Sequence, residues 1–326
     1  MSRRQKFIQL PLVGTLLLGL LAVMYLGYLV AFGSFLYAEV FAPADTIVEY
    51  QVHTNSSTAI QHWTAASMRN AINADQLSGA TSALTQETLD SSAGKAARQQ
   101  GQPPSNGNAS YPLSTVGKVF FSNASGQNMV CSGTAVVSSN HNTVDTAGHC
   151  LYWNGGWVQN MIFCPLYDNG NTPYGCWAAR ALEVPSGWIN GNSNNFSQDF
   201  GMAIVAPNSE GNLTDVVGGA GWAYNQAVNQ PITAYGYPAA GPFDGQTRQT
   251  CEASSGTLWQ MGGGSVVSIP CNMTGGSSGG PWFIQSGGNW YLSGHNDFIS
   301  NLQPGHMFSP YYNDTWYALY NKAQQT

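Results

Sequence analysis

From about residue 111 to the C-terminus, hydrophobic positions fall into short runs of strand length, broken by clusters of Gly, Asn, Ser and Pro. That texture predicts an all-β barrel or sandwich. Candidate strands cover residues 116–121, 129–138, 142–147, 157–166 and 200–206 in a first half. A second half offers 231–237, 247–260, 265–270, 281–285, 289–295 and 307–311. The period changes at 314–323, which reads as a helix with Asp314 as N-cap and Trp316, Tyr317 and Tyr320 on one face.

Two other textures precede this. Arg3, Arg4 and Lys6 are followed by residues 7–38, which contain no Asp, Glu, Lys or Arg and are long and apolar enough to span a bilayer. The stretch exceeds the usual apolar core of a cleaved leader, so two readings stay open: a signal peptide ending near Ala42-Pro43-Ala44, or an uncleaved anchor with its basic end in the cytoplasm. Both export the rest of the chain, secreted in one case and tethered in the other. Residues 62–71 read as a short helix, and residues 91–110 turn to Ser, Ala, Gln, Gly, Pro and Asn, the chemistry of a cleavable linker. The expected division is 1–44 as leader or anchor, 45–110 as an intervening segment with its linker, and 111–326 as the principal domain. The intervening segment is a stalk or, by the resemblance of its W-T-x-x-x-M pattern to segments removed from secreted bacterial proteins, a propeptide.

Charged residues make up 8% of the chain and the net charge is −6, with no basic tract beyond the first six residues. Nucleic acid is therefore not an expected partner. All six cysteines follow residue 130, and neighbours pair naturally as Cys131 with Cys150, Cys164 with Cys176 and Cys251 with Cys271, although sequence leaves the connectivity open. With no C-x-x-C or H-E-x-x-H, zinc is not expected, and structural disulfides imply an oxidising compartment.

Three motifs carry chemistry. Gly275-Gly276-Ser277-Ser278-Gly279-Gly280-Pro281 crowds a serine with glycines, the composition of a tight turn that presents a hydroxyl near main-chain N–H groups. Serine needs a base, and the base an orienting group. Thr146-Ala147-Gly148-His149-Cys150 supplies a histidine at the end of an apolar strand, and Asp199 precedes the run Phe200 to Val205, with Asp168, Asp215 and Asp244 as competitors. The order is His149, Asp199, Ser278.

On these motifs, T-A-G-H-C and G-x-S-G-G-P, the chain resembles the trypsin/chymotrypsin superfamily of serine peptidases. Val116 to Phe121, Cys131 to Val136 and Met273 to Gly276 resemble its secreted microbial branch, which includes the glutamyl endopeptidases. The resemblance implies two six-stranded antiparallel β-barrels with the site in their seam, followed by the C-terminal helix. It also implies a disulfide beside His149, a His149-Asp199-Ser278 triad acting through an acyl-enzyme, and an oxyanion hole from the N–H groups of Gly276 and Ser278. Thr274 and His295 stand where the glutamyl enzymes bind a substrate carboxylate. A monomer acting on protein or peptide is implied, with no cofactor and with membrane contact confined to residues 7–38 if uncleaved. The rival is a trypsin-fold binding protein that has lost activity. One departure is Asp145, where relatives carry an apolar residue; it is expected to face solvent or mark an irregular strand end.

Overall fold

The computed structural model describes residues 46–74, 85–87, 97–103, 110–261 and 263–326. Residues 7–38 and most of the expected linker lie outside the described residues. Among those described, no helix is long and apolar enough to cross a membrane.

Six strands in the first half, Val116–Ser122, Asn128–Val136, Thr143–Ala147, Gln159–Pro165, Trp177–Pro185 and Phe200–Val205, form a closed antiparallel ring. Trp177–Pro185 closes it by pairing with Gln159–Pro165 through one part of its length and with Phe200–Val205 through another. Alternation sets the core: Val119, Phe121, Met129, Cys131 and Phe163 point into one cluster, while Phe120, Val130, Ile162 and Cys164 belong to a second on the opposite face. Both faces of these strands are therefore covered, and Val116–Ser122 is buried at every position.

The cover on that second face comes from the segment expected to be a propeptide. Ile47–Gln51 adds an antiparallel strand to Trp177–Pro185, and two short helices, Ser56–His62 and Ala65–Asn70, bring Ala59, Trp63 and Met68 against Phe120, Val130 and Ile162. Burial of each large side chain contributes on the order of 2 kcal/mol. The Trp63 indole N–H donates to the Asn160 carbonyl at 2.7 Å. The helix expected over 62–71 is thus two helices with a break at Trp63. Ile72–Asn73 then pairs parallel with Met129–Val130 of the barrel. From Asp45 onward the chain is one compact unit.

Two sheets that share a core build the second barrel. One includes Gln249–Ala253, Ile232–Gly236, Pro281–Ser286 and Asn289–His295; the other includes His306–Pro310, Gly264–Pro270 and Thr257–Met261. Ala234, Leu258, Ile269, Trp282 and Met307 meet between them. All three disulfides join the expected neighbours: Cys131 to Cys150, Cys164 to Cys176 and Cys251 to Cys271. The C-terminal helix spans Asp314–Ala323 as expected, but its cap is Asn313, whose side chain accepts from the N–H groups of Thr315 and Trp316. Asp314 is instead the first helical residue, an acidic group suited to that end of the helix dipole.

Candidate active site

The strand Thr143–Ala147 runs into a single helical turn, Gly148–Cys150, which presents His149 at the end of the first barrel. Phe200–Val205 pairs with it in register, Phe200 opposite Ala147, so the residue before that strand is delivered beneath the imidazole. That residue is Asp199. Its Oδ1 accepts from the His149 backbone N–H at 2.7 Å and its Oδ2 from Nδ1 at 2.8 Å. A carboxylate on Nδ1 assigns the basic lone pair to Nε2. Both side chains are buried. Of the competing aspartates, Asp215 pairs with His141 at the surface, at 2.6 Å, and both are half exposed.

Ser278 comes from the second barrel. Its backbone carbonyl accepts from the Ser132 N–H at 2.7 Å, and the Ser132 hydroxyl donates to the Gly276 carbonyl at 3.0 Å, so the serine loop is bonded to the first barrel on both sides of Ser277. Gly279 makes that approach possible. At φ +78° it adopts a conformation that L side chains resist, and a Cβ there would lie 2.1 Å from Thr146 Oγ1 and 2.4 Å from the Ser132 carbonyl. Gly276, at φ +96°, turns the backbone one step before the serine pair. The Ser278 hydroxyl donates to the Asp297 carbonyl at 3.1 Å.

Asp297 was not among the candidates read from sequence. Its Oδ1 is 3.4 Å from His149 Nδ1, its side chain is fully buried, and neither carboxyl oxygen is matched to a hydrogen-bond donor at standard distance. Burial, and then the charge of Asp199, push its carboxyl well above the usual carboxylate range. Ligand atoms of His149, Asp199 and Asp297 lie within 4.8 Å of one another, close enough to close around a small cation, but the 2.8 Å contact between His149 and Asp199 has the length of a hydrogen bond.

A cleft of about 280 Å³ opens in front of Ser278. Its walls include Thr274, Gly275, Ala240, Asp297, Phe298, Ile299 and Met307, together with Asn73 from the N-terminal segment. Thr274 lines the cleft, its hydroxyl accepting from the Ala240 N–H at 3.2 Å and donating to the Ala240 carbonyl at 2.7 Å. His295 does not. It is fully buried behind Asp199, with Nε2 donating to the Asp199 carbonyl at 3.1 Å and Nδ1 2.9 Å from the Tyr312 hydroxyl and 3.3 Å from Asp145. The expectation that His295 contacts substrate is corrected: the same stretch of chain reaches the cleft at Asp297, Phe298 and Ile299. Asp145 neither faces solvent nor ends the strand. It is buried, accepting from the Tyr312 hydroxyl at 2.7 Å and the Trp316 indole at 2.8 Å.

The chain matches no protein-family model. It is 32% identical over 162 residues to the glutamyl endopeptidase of Bacillus licheniformis and 28% identical over 130 residues to a Bacillus subtilis protein named extracellular metalloprotease. These matches cover 47% and 40% of this chain and 45% and 36% of those proteins, so the chain spans less than half the length of either curated relative. Among solved structures it is similar to the thermostable serine protease AL20 from an extremophilic microorganism, with 40% identity, a TM-score of 0.59, and coverage of 66% of this chain and 98% of that one. Protease Anisep from Arthrobacter nicotinovorans follows, with 36% identity, a TM-score of 0.58, and coverage of 71% and 100%. With likeness at this level across nearly the whole of two solved proteases, and a double barrel carrying His149 and Ser278 on opposite halves, the chain belongs to the chymotrypsin-like serine proteases of the microbial type.

Proposed function

We propose that this protein is an exported serine endopeptidase whose nucleophile is Ser278, with His149 as base and Asp199 as its orienting carboxylate. Ser278 Oγ attacks the scissile carbonyl while His149 Nε2 takes its proton. The amine leaves with that proton, and water repeats the sequence on the acyl-enzyme. The N–H groups of Gly276 and Ser278 face the developing oxyanion, each contributing about 3 kcal/mol to lowering the barrier. The observation that carries the reading is the buried Asp199 to His149 Nδ1 hydrogen bond, in a pair that shares the neighbour Asp297 with Ser278.

Ala240, Phe298, Ile299 and Met307 give the cleft a mainly apolar wall, with Thr274 as a polar point. No Lys, Arg or His stands among the described residues lining it, and a buried anionic side chain needs a counter-charge. The reading favoured is therefore an uncharged P1 side chain. A glutamate preference is the second reading, favoured by the likeness to the B. licheniformis enzyme. Residues 46–74, with Asn73 in the cleft wall, act as the retained part of a propeptide that limits access to Ser278.

A fluorophosphonate probe tests the central point: label on Ser278 that disappears in Ser278→Ala supports the enzyme, and no label on folded, matured protein favours the inactive binder. A peptide library on the active form then separates the two specificities.

A further inference from the structure

A buried carboxyl whose oxygens meet no donor at standard distance is costly in a protein interior, by several kcal/mol if charged. Asp297 is in that position. Asp297 Oδ1 lies 3.4 Å from His149 Nδ1, the atom that Asp199 Oδ2 meets at 2.8 Å, so two carboxyl groups converge on one N–H. The main chain is fixed at the same place: its N–H donates to the Phe308 carbonyl at 2.8 Å and its carbonyl accepts from Ser278 Oγ at 3.1 Å. One residue thus touches the nucleophile through its backbone and faces the base through its side chain.

We infer that Asp297 is a second positioning carboxylate for His149, placed to take over Nδ1–H from Asp199. The inference rests on the triad reading given above. Asp297 is the member of this carboxyl pair that carries the proton, because burial and the neighbouring Asp199 push it well above the usual carboxylate range. Its O–H is then available to Asp199, which holds that carboxylate beneath the imidazole. The titratable groups facing Asp297 are Asp199 and His149 from the first barrel and, farther off, Tyr312 from the second. If the charge of residue 199 is removed, burial still favours the neutral Asp297 carboxyl but the opposing charge of Asp199 is gone. The imidazolium that forms at 3.4 Å as His149 takes a proton then draws Asp297 into ionising as its counter-ion.

The test is a double-mutant cycle on the full chain after maturation, with Ser278→Ala as reference, kcat/KM measured across pH and thermal unfolding followed for each variant. Losing the sole orienting aspartate of such a triad costs about 10⁴-fold. Here Asp199→Asn is expected to lose only about 10²-fold, Asp297→Asn about tenfold or less, and the double variant about 10⁴-fold. The acid limb of the pH profile provides a readout that a merely structural role would not move. An anion beside the ring favours its cationic form, so the limb stays in place in Asp199→Asn and falls by about one pH unit or more in the double variant. Asp297→Ser repeats the cycle if Asp297→Asn does not fold. A full ~10⁴-fold loss in Asp199→Asn, unchanged by substitution at 297, overturns the inference while leaving the triad intact. Undiminished activity and probe labelling in Ser278→Ala would instead remove the triad reading itself.

Discussion

The molecule buries two histidine–aspartate pairs back to back, and they differ in their surroundings. In His295 with Asp145, one ring nitrogen donates to the Asp199 carbonyl, the other meets Tyr312 and Asp145, and the carboxylate is filled by the Tyr312 hydroxyl and the Trp316 indole. In His149 with Asp199, the carboxylate takes Nδ1 and a backbone N–H, and the mechanism proposed above uses Nε2 for proton transfer. Identical residue types therefore sit in two different settings. The distinction is what the second nitrogen meets: His295 gives Nε2 to a buried main-chain carbonyl, whereas the role proposed for His149 has its Nε2 serve the Ser278 hydroxyl.

The widest separation between the pairs should appear in His149→Ala compared with Asp145→Asn. The first is expected to lower kcat by about 10⁵- to 10⁶-fold with little change in stability. The second should cost about 2–4 kcal/mol in denaturant unfolding while the folded fraction keeps activity within about tenfold. Comparable loss of turnover in both would erase the contrast.

A buried charge with no carboxylate against it sharpens the comparison. Lys118 is 1% exposed, donates to the Gly245 carbonyl at 2.8 Å and lies over the rings of Phe120 and Tyr167. Burial lowers its ammonium to about 8, with Asp244 opposing only in part. The folded state thus binds fewer protons than the unfolded chain between about pH 8 and 10.5, so stability rises with pH across that window and the full penalty applies below it. The gain amounts to roughly 3 kcal/mol. Lys118→Met should flatten the dependence in urea titrations at successive pH values, whereas a slope that survives would place the titrating group elsewhere.

Trp316→Phe probes the His295 and Asp145 pair most gently. It removes one donor from Asp145 and keeps most of the ring stacking on Tyr312 and Tyr320, with an expected loss of about 2 kcal/mol and no change in substrate preference. An altered preference would tie that pair to the cleft.

Local signals were legible in the sequence where a motif fixes its own geometry. His149, Asp199 and Ser278 stand out because short turns deliver them, and the disulfides join near neighbours. Long-range facts were not legible. Asp145 finds Tyr312 and Trp316 at separations of 167 and 171 residues, so nothing near it in the chain announces a buried carboxylate. The strand Trp177–Pro185 escaped notice because Arg180 and Glu183 interrupt its apolar pattern; Glu183 is nonetheless buried, held by the Thr326 hydroxyl and near Lys322. Asp297 follows the expected strand 289–295 with no motif around it to single it out. An acid directly after an apolar strand downstream of the serine motif was the available signal, and His295, two positions earlier, drew attention from it.

The N-terminal segment carries a consequence for timing. Its strand, its buried Trp63 and the Glu49 to Lys322 ion pair attach residues 46–74 to the domain by noncovalent contacts. While the chain is intact, those contacts are closed at the high effective concentration of a tether. A single cut between Asn73 and Ser110 would turn the same contacts into an equilibrium between two molecules, governed by mass action. On the reading proposed above, opening of the cleft would then depend on volume as well as on the cut: slight where the two pieces stay concentrated, and nearly complete once they are diluted.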